Sequence, residues 1–85
     1  MTGEQILQHA ASVLAERGLA YGDAATSMAA VATRWSVTLG HPVTPAQVVL
    51  CMIDLKITRL AHDPKHHDSA ADVIGYAALL PEVAR

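Results

Sequence analysis

The segment TPAQVVLCMIDLKITRLAHDPKHHDSAADVIGYAALL, residues 44–80, decides the fold of this chain. Thr44 precedes Pro45, which suits the first position of a helix, and Gln47 completes the spacing of a capping box. Residues 48–60 are then apolar around most of the helical circumference, a pattern typical of a helix that neighbours contact on several sides. This half of the segment predicts a central third helix.

The second half of the segment predicts a turn and a fourth helix. Pro64 cannot continue the preceding helix because proline lacks a backbone N–H and its ring clashes with the helix backbone. Asp68 or Ser69 is a favourable N-cap for the helix that follows. The core face of that helix should consist of Val73, Ile74, Ala77 and Leu80. Since the turn is short, we expect the third and fourth helices to run antiparallel.

The residues before this segment predict two further helices. Thr2 and Gln5 have the spacing of another capping box, and Gly18 stands where the first helix can end. Asp23 is a good N-cap for the second helix, and Gly40 is the expected end of that helix. The sequence therefore predicts an all-α fold, a compact four-helix bundle.

Length and composition predict one domain that self-associates. The chain has 85 residues, which is the size of a single helical domain, and we expect it to span residues 1–85. Hydrophobic residues make up 52% of the sequence and aromatic residues only 4%. A chain this short cannot bury all of that apolar surface alone, so we expect a dimer or a higher homo-oligomer. Cys51 lies inside an apolar run and is expected to be buried.

The charge and the apolar runs argue against two classes of partner. A net charge of −2 provides no basic field for a nucleic-acid backbone, so general DNA binding is not expected. The longest apolar run, residues 48–53, is far shorter than the ~20 residues that cross a bilayer. The N-terminus also lacks the basic and apolar regions of a signal peptide. These features favour a cytoplasmic protein without membrane contact.

Three cations surround the bend between the third and fourth helices: Lys56, Arg59 and Lys65. A helix N-terminus with free amides and nearby cations is suited to a phosphate group. An alternative is structural, since Lys56 or Arg59 can instead pair with Asp72 across the two helices. The histidines of the bend, His62, His66 and His67, together with an aspartate could form a zinc or iron site, but their spacing fits no standard metal motif. Solvated histidines are favoured, and when protonated they can contact an anion. Of these, His66 is a candidate ligand-binding residue.

Three carboxylates offer a second kind of chemistry. Asp68 and Asp72 are one helical turn apart and point the same way, and Asp54 lies on the preceding helix. If they converge, their oxygens can hold a magnesium ion that serves phosphate hydrolysis. The alternative is that Asp68 caps its helix and Asp72 is solvated or paired with a cation. Tyr21 and Tyr76 are candidates for stacking on a nucleobase, although packing alone also explains them.

Several motifs together carry a family resemblance. They are YGD at residues 21–23, the region around Trp35, KIxRL and KHxDS at residues 56–69, and DxxGYA at residues 72–77. In these motifs the chain resembles a small, poorly characterised helical family common in phages and prophages. It is more distantly similar to the nucleotide-modification-associated domain of phages and to MazG-like all-α nucleoside triphosphate pyrophosphohydrolases. The latter resemblance places Asp72 at the last aspartate of the magnesium motif and Asp68 near its glutamate.

The resemblance implies a helical pocket for a nucleotide. The first hypothesis is a phage-type protein that binds a nucleotide or nucleotide-derived signal of host defence and sequesters it without catalysis, in the host cytoplasm. Its ligand-binding residues are expected to be Tyr21, Lys56, Arg59, Lys65, His66, Asp68, Asp72 and Tyr76. The second hypothesis is a reduced MazG-like hydrolase that uses magnesium at Asp54, Asp68 and Asp72. The third is a module that binds and inhibits another protein.

Overall fold

The computed structural model of the chain describes residues 1–84, which form four helices. These are α1 (Gly3–Tyr21), α2 (Ala24–Leu39), α3 (Pro45–His62) and α4 (His67–Val83). The predicted all-α fold, a compact four-helix bundle, is confirmed. Within residues 1–84, no helix is both long enough and apolar enough to cross a bilayer.

The predicted starts of the first three helices are confirmed by their side-chain caps. The Thr2 N–H donates to Gln5 Oε1 at 2.9 Å, and the Gln5 N–H donates to Thr2 Oγ1 at 3.2 Å. Thr44 and Gln47 form the same reciprocal pair at 2.9 and 3.1 Å. Asp23 accepts the Thr26 N–H at 3.0 Å. Each cap satisfies an amide that the first helical turn leaves without a partner.

The end of α1 differs from the prediction. Gly18 does not end the helix, which continues to Tyr21 and stops at Gly22, where φ is +79°. The Gly22 N–H donates to the Gly18 carbonyl oxygen at 3.0 Å. The extra turn leaves Leu19 with 92% of its surface exposed. Gly40 does end α2, with φ +77° and ψ +18° in the left-handed region that glycine adopts without strain.

The start of α4 is a second correction, because His66 is the N-cap in place of Asp68 or Ser69. His66 Nδ1 accepts the Ser69 N–H at 3.2 Å and lies 2.7 Å from Ser69 Oγ. An imidazole nitrogen accepts an amide hydrogen bond through its lone pair, as the oxygen of a usual N-cap side chain does. With the cap at His66, Ser69 is the third helical residue, and it is 1% exposed inside the bundle.

The central helix is α4 and not α3. Helix α4 packs against α1, α2 and α3, whereas α3 contacts only α2 and α4 among the described helices. Small side chains permit this close packing, and the buried residues are Ala10, Ala32, Val48, Val49, Ser69, Ala71 and Val83. One side of α3 consequently faces solvent. Cys51 lies on the exposed part of that helix, contrary to the prediction that it is buried.

Candidate functional site

Asp72 of α4 lies between two cations from helices that do not contact each other. Asp72 Oδ2 is 3.3 Å from Lys56 Nζ of α3, and Asp72 Oδ1 is 3.6 Å from Arg17 Nη2 of α1. The Asp72 and Lys56 side chains are 15% and 11% exposed, whereas the Arg17 side chain is 52% exposed. The structural alternative for Lys56, pairing with Asp72, is therefore the arrangement observed.

Sequence reasoning missed Arg17, although a signal for it exists. Ala10, Val13 and Leu14 form an apolar stripe on α1, and Arg17 continues that stripe at helical spacing. A cation that continues an apolar stripe lies beside the neighbouring helix on which the stripe packs, where an opposite charge can pair with it. Asp72 supplies that charge, and the three side chains together have a net charge of +1. The half-exposed guanidinium keeps N–H donors that can reach a further anion.

Tyr21 and Tyr76 line the same depression, although they are 55 residues apart in the sequence. We call this depression the tyrosine cleft; it lies between the end of α1, the first half of α2 and the second half of α4, and has a volume of about 780 Å³. Its walls are formed by Leu14, Ala15, Arg17, Gly18, Tyr21, Gly22, Ala24, Ser27, Met28, Ala30, Val31, Tyr76, Leu79 and Glu82.

The tyrosine cleft adjoins the charged group around Asp72. A small cavity of about 30 Å³ lies between α1 and α4, and its walls include Asp72 and Gly75. Arg17 and Tyr76 line both this cavity and the tyrosine cleft. Tyr21 is 76% exposed at the mouth, while Tyr76 is half-buried. The cleft thus combines two phenol rings, one guanidinium and apolar walls.

The remaining predicted cations lie elsewhere. Arg59 and His66 line a second depression of about 400 Å³ at the turn between α3 and α4, together with Thr58, His62 and Asp63. Lys65 is exposed in that turn. The expected convergence of Lys56, Arg59, Asp68 and Asp72 on one spot is therefore not observed. Lys56 turns inward to Asp72, while Arg59, although only three residues further along α3, lies on the solvent side.

The three aspartates do not form the carboxylate cluster that the hydrolase hypothesis requires. Asp68 is 3.4 Å from His9 Nε2, with its side chain 80% exposed. Asp72 is engaged by two cations, and Asp54 is exposed on α3. Within residues 1–84, no group of three or more His, Cys, Asp or Glu side chains is placed to hold a metal ion.

Comparisons with known proteins place the chain among uncharacterised proteins. Residues 5–84 match the model of a domain of unknown function, DUF6378. The chain is 36% identical over 69 residues to the Gene 55 protein of Mycobacterium phage L5. That alignment covers 80% of this chain and 44% of the phage protein, so the chain spans less than half of that relative. No solved structure matches. The matches confirm the resemblance to an uncharacterised helical family with a phage member.

Proposed function

The chain belongs to the DUF6378 family, and we propose that it binds a nucleotide in the tyrosine cleft without turning it over. One observation carries this proposal: Tyr21, Tyr76 and Arg17 share the walls of a single open depression of about 780 Å³. Small-molecule sites commonly have volumes of a few hundred to about 1,000 Å³ and apolar walls with a few polar groups. A nucleotide offers the matching parts, namely a planar base and a phosphate.

The two tyrosines supply the contacts for the base. Stacking of a base on an aromatic side chain contributes about 1–3 kcal/mol and tolerates any of the bases. Tyr21 lies at the mouth of the cleft with 76% of its surface exposed. A nucleobase can therefore stack on the phenol ring without displacing side chains of the protein. Glu82 lies on the same wall, and its carboxylate can accept a hydrogen bond from a base amino group or a ribose hydroxyl.

Arg17 supplies the contact for the phosphate. A guanidinium binds phosphate through paired N–H donors, and the 52% exposed Arg17 side chain retains such donors. Asp72 holds Arg17 in place from one side. Lys56 neutralises Asp72 from the other side at 3.3 Å, so the carboxylate does not cancel the charge that attracts the ligand.

The positions of the carboxylates favour binding over hydrolysis. Asp68 and Asp72 are already paired with His9, Arg17 and Lys56, and Asp54 lies on the outer side of α3. A protein that binds a nucleotide and leaves it intact sequesters that nucleotide. A phage relative is consistent with a ligand that acts as a signal in host defence, which is the biological setting we propose.

Calorimetric titration with a panel of nucleotides and cyclic dinucleotides tests the proposal. We expect at least one of them to release heat and to raise the melting temperature of the chain. Tyr21→Ala and Arg17→Ala should each weaken that binding tenfold or more, which corresponds to about 1.4 kcal/mol. Arg34→Ala is the matched control, because Arg34 is also an exposed helical arginine but does not line the cleft. If no nucleotide gives heat of binding or a shift in melting temperature, the proposal is refuted.

Two further measurements separate this site from the alternatives. If Arg59→Ala abolishes binding while Arg17→Ala leaves it intact, the ligand sits in the second depression and the tyrosine cleft is the wrong site. Incubation of nucleoside triphosphates with the chain and magnesium should return the substrate intact. Turnover that Asp72→Asn abolishes would replace sequestration with the hydrolase hypothesis.

A further inference from the structure

Helix α3 exposes a stripe of apolar side chains that the rest of the described chain covers only in part. Leu50 and Ile57 are each about half exposed, and Ala61 is also exposed. At 100° per residue these three positions fall within about 40° of one another. Leu55 is also exposed, but it lies about 140° around the helix from Leu50. We define the outer face of α3 as Leu50, Asp54, Leu55, Ile57, Thr58, Ala61 and His62, all of which are exposed.

The exposed area of the chain exceeds that of a typical folded monomer. The accessible surface is 5743 Å², whereas a folded monomer of this mass exposes about 4,850 Å² by the usual size scaling. The surplus of about 900 Å² is close to the ~800 Å² that each partner buries in a stable protein interface. The surplus area is therefore large enough for one interface of ordinary size.

The charges on the outer face of α3 are self-complementary when two copies run antiparallel. On this face Asp54 lies in the middle of the helix and His62 in its last turn, and Arg59 lies next to the face in the same last turn. Neither Asp54 nor Arg59 has an ion-pair partner within residues 1–84. Asp54, Thr58 and His62 follow one another at four-residue spacing, so Thr58 lies midway between an acidic group and an imidazole. A twofold axis beside Thr58 places Asp54 of each copy opposite His62 of the other.

We infer that two copies of this chain associate through antiparallel packing of their α3 outer faces around a twofold axis beside Thr58. Such an isologous contact buries the same patch on both copies. Thr58 lies at its centre, Ala61 lies about 60° around the helix from Thr58, and Ile57 and Arg59 lie at its two opposite edges, about 100° from Thr58. This proposal assigns the outer face of α3 as the interface for the self-association that the composition predicts. It does not depend on nucleotide binding.

Sedimentation of the purified chain tests the surface. The wild-type chain should sediment with twice the 9.0 kDa mass of one copy. Ile57→Glu should halve that mass, because it adds a carboxylate to the apolar stripe of each copy, and covering that charge without a partner is costly. Leu19→Glu is the matched control: Leu19 is more exposed than Ile57 but lies on α1. A monomeric wild type, or a dimer that survives Ile57→Glu, overturns the inference. Circular dichroism of both variants verifies that they fold.

A cysteine substitution tests the position of the axis without disturbing the apolar residues. Cys51→Ser removes the lone native thiol, and Thr58→Cys in that background places one thiol beside the proposed axis. Mild oxidation by copper phenanthroline should convert the chain to a disulfide-linked dimer. Leu19→Cys in the same background should stay unlinked. Equal linking of the two variants, or none of Thr58→Cys, refutes the axis beside Thr58.

Discussion

The tyrosine cleft and the outer face of α3 both expose apolar side chains, but they differ in shape. The cleft is concave because the ends of three helices surround it, and it contains two phenols and a guanidinium. The outer face belongs to a single helix and is convex, with aliphatic side chains around Asp54. A concave surface can enclose a small planar ligand. A convex aliphatic surface excludes water only when another protein surface covers it.

The two regions are connected through Asp72. Helices α1 and α3 have no contact with each other in the described part of the chain, yet a cation from each reaches this carboxylate. Arg17 belongs to the cleft, and Lys56 is on the inner side of the helix that presents the outer face. Asp72 therefore fixes one wall of the cleft relative to α3.

The largest effect should come from removing that connection. Asp72→Ala leaves the 11% exposed Lys56 side chain without a counter-charge, and we expect the free energy of unfolding to fall by about 3 kcal/mol. Asp68→Ala is the comparison, because its 80% exposed side chain makes only a surface pair with His9 that contributes less than about 1 kcal/mol. Urea denaturation measures both. Equal losses would mean that Asp72 does not connect the two regions.

A somewhat smaller effect concerns the mouth of the cleft. Gly22 has φ +79° and ψ −154°, a region essentially restricted to glycine, so Gly22→Ala should cost about 2 kcal/mol. Gly18 lies within α1 and has open space around an added methyl group. Gly18→Ala should therefore stabilise the chain by about 0.5–1 kcal/mol. Thermal denaturation of both variants measures the difference. Destabilisation by Gly18→Ala would contradict the helical role assigned to that residue.

The independence of the two surfaces should appear as a tenfold effect on one property and none on the other. Arg17→Ala is expected to lower nucleotide affinity at least tenfold, about 1.4 kcal/mol, without changing the sedimenting mass. Ile57→Glu is expected to dissociate the dimer without changing the affinity per chain. Calorimetry and sedimentation on the same two variants decide this. If Ile57→Glu also abolishes ligand binding, the ligand site lies between copies and the distinction fails.

The smallest effect should come from the cap of α4, which lies outside both the cleft and the centre of the outer face. His66→Ala removes the acceptor of the Ser69 N–H and should cost about 1 kcal/mol of stability. His66→Asn should preserve most of it, because asparagine is among the best N-cap residues. Urea denaturation measures stability, and titration of the same variants should give unchanged affinity. A loss of affinity in His66→Asn would point to the second depression as the ligand site.

The predicted helix ends were wrong where more than one nearby residue could cap or end the helix. Gly18 and Gly22 are both able to end α1, and the helix continues through Leu19, Ala20 and Tyr21 to the later glycine. His66, Asp68 and Ser69 all offer a capping acceptor, and the turn at Pro64 makes the earliest of them the cap. The helix starts at Thr2, Asp23 and Thr44 lacked such competitors and were predicted correctly.

The sequence by itself determined four helices and most of their ends, because each cap depends on residues within one helical turn. Only the tertiary structure decided that α4 is central, that Arg17 joins Lys56 at Asp72, and that Tyr21 and Tyr76 face one cleft. These pairs come from helices far apart in the chain. No local pattern fixes which sides of two helices meet, because that choice depends on how all four pack together.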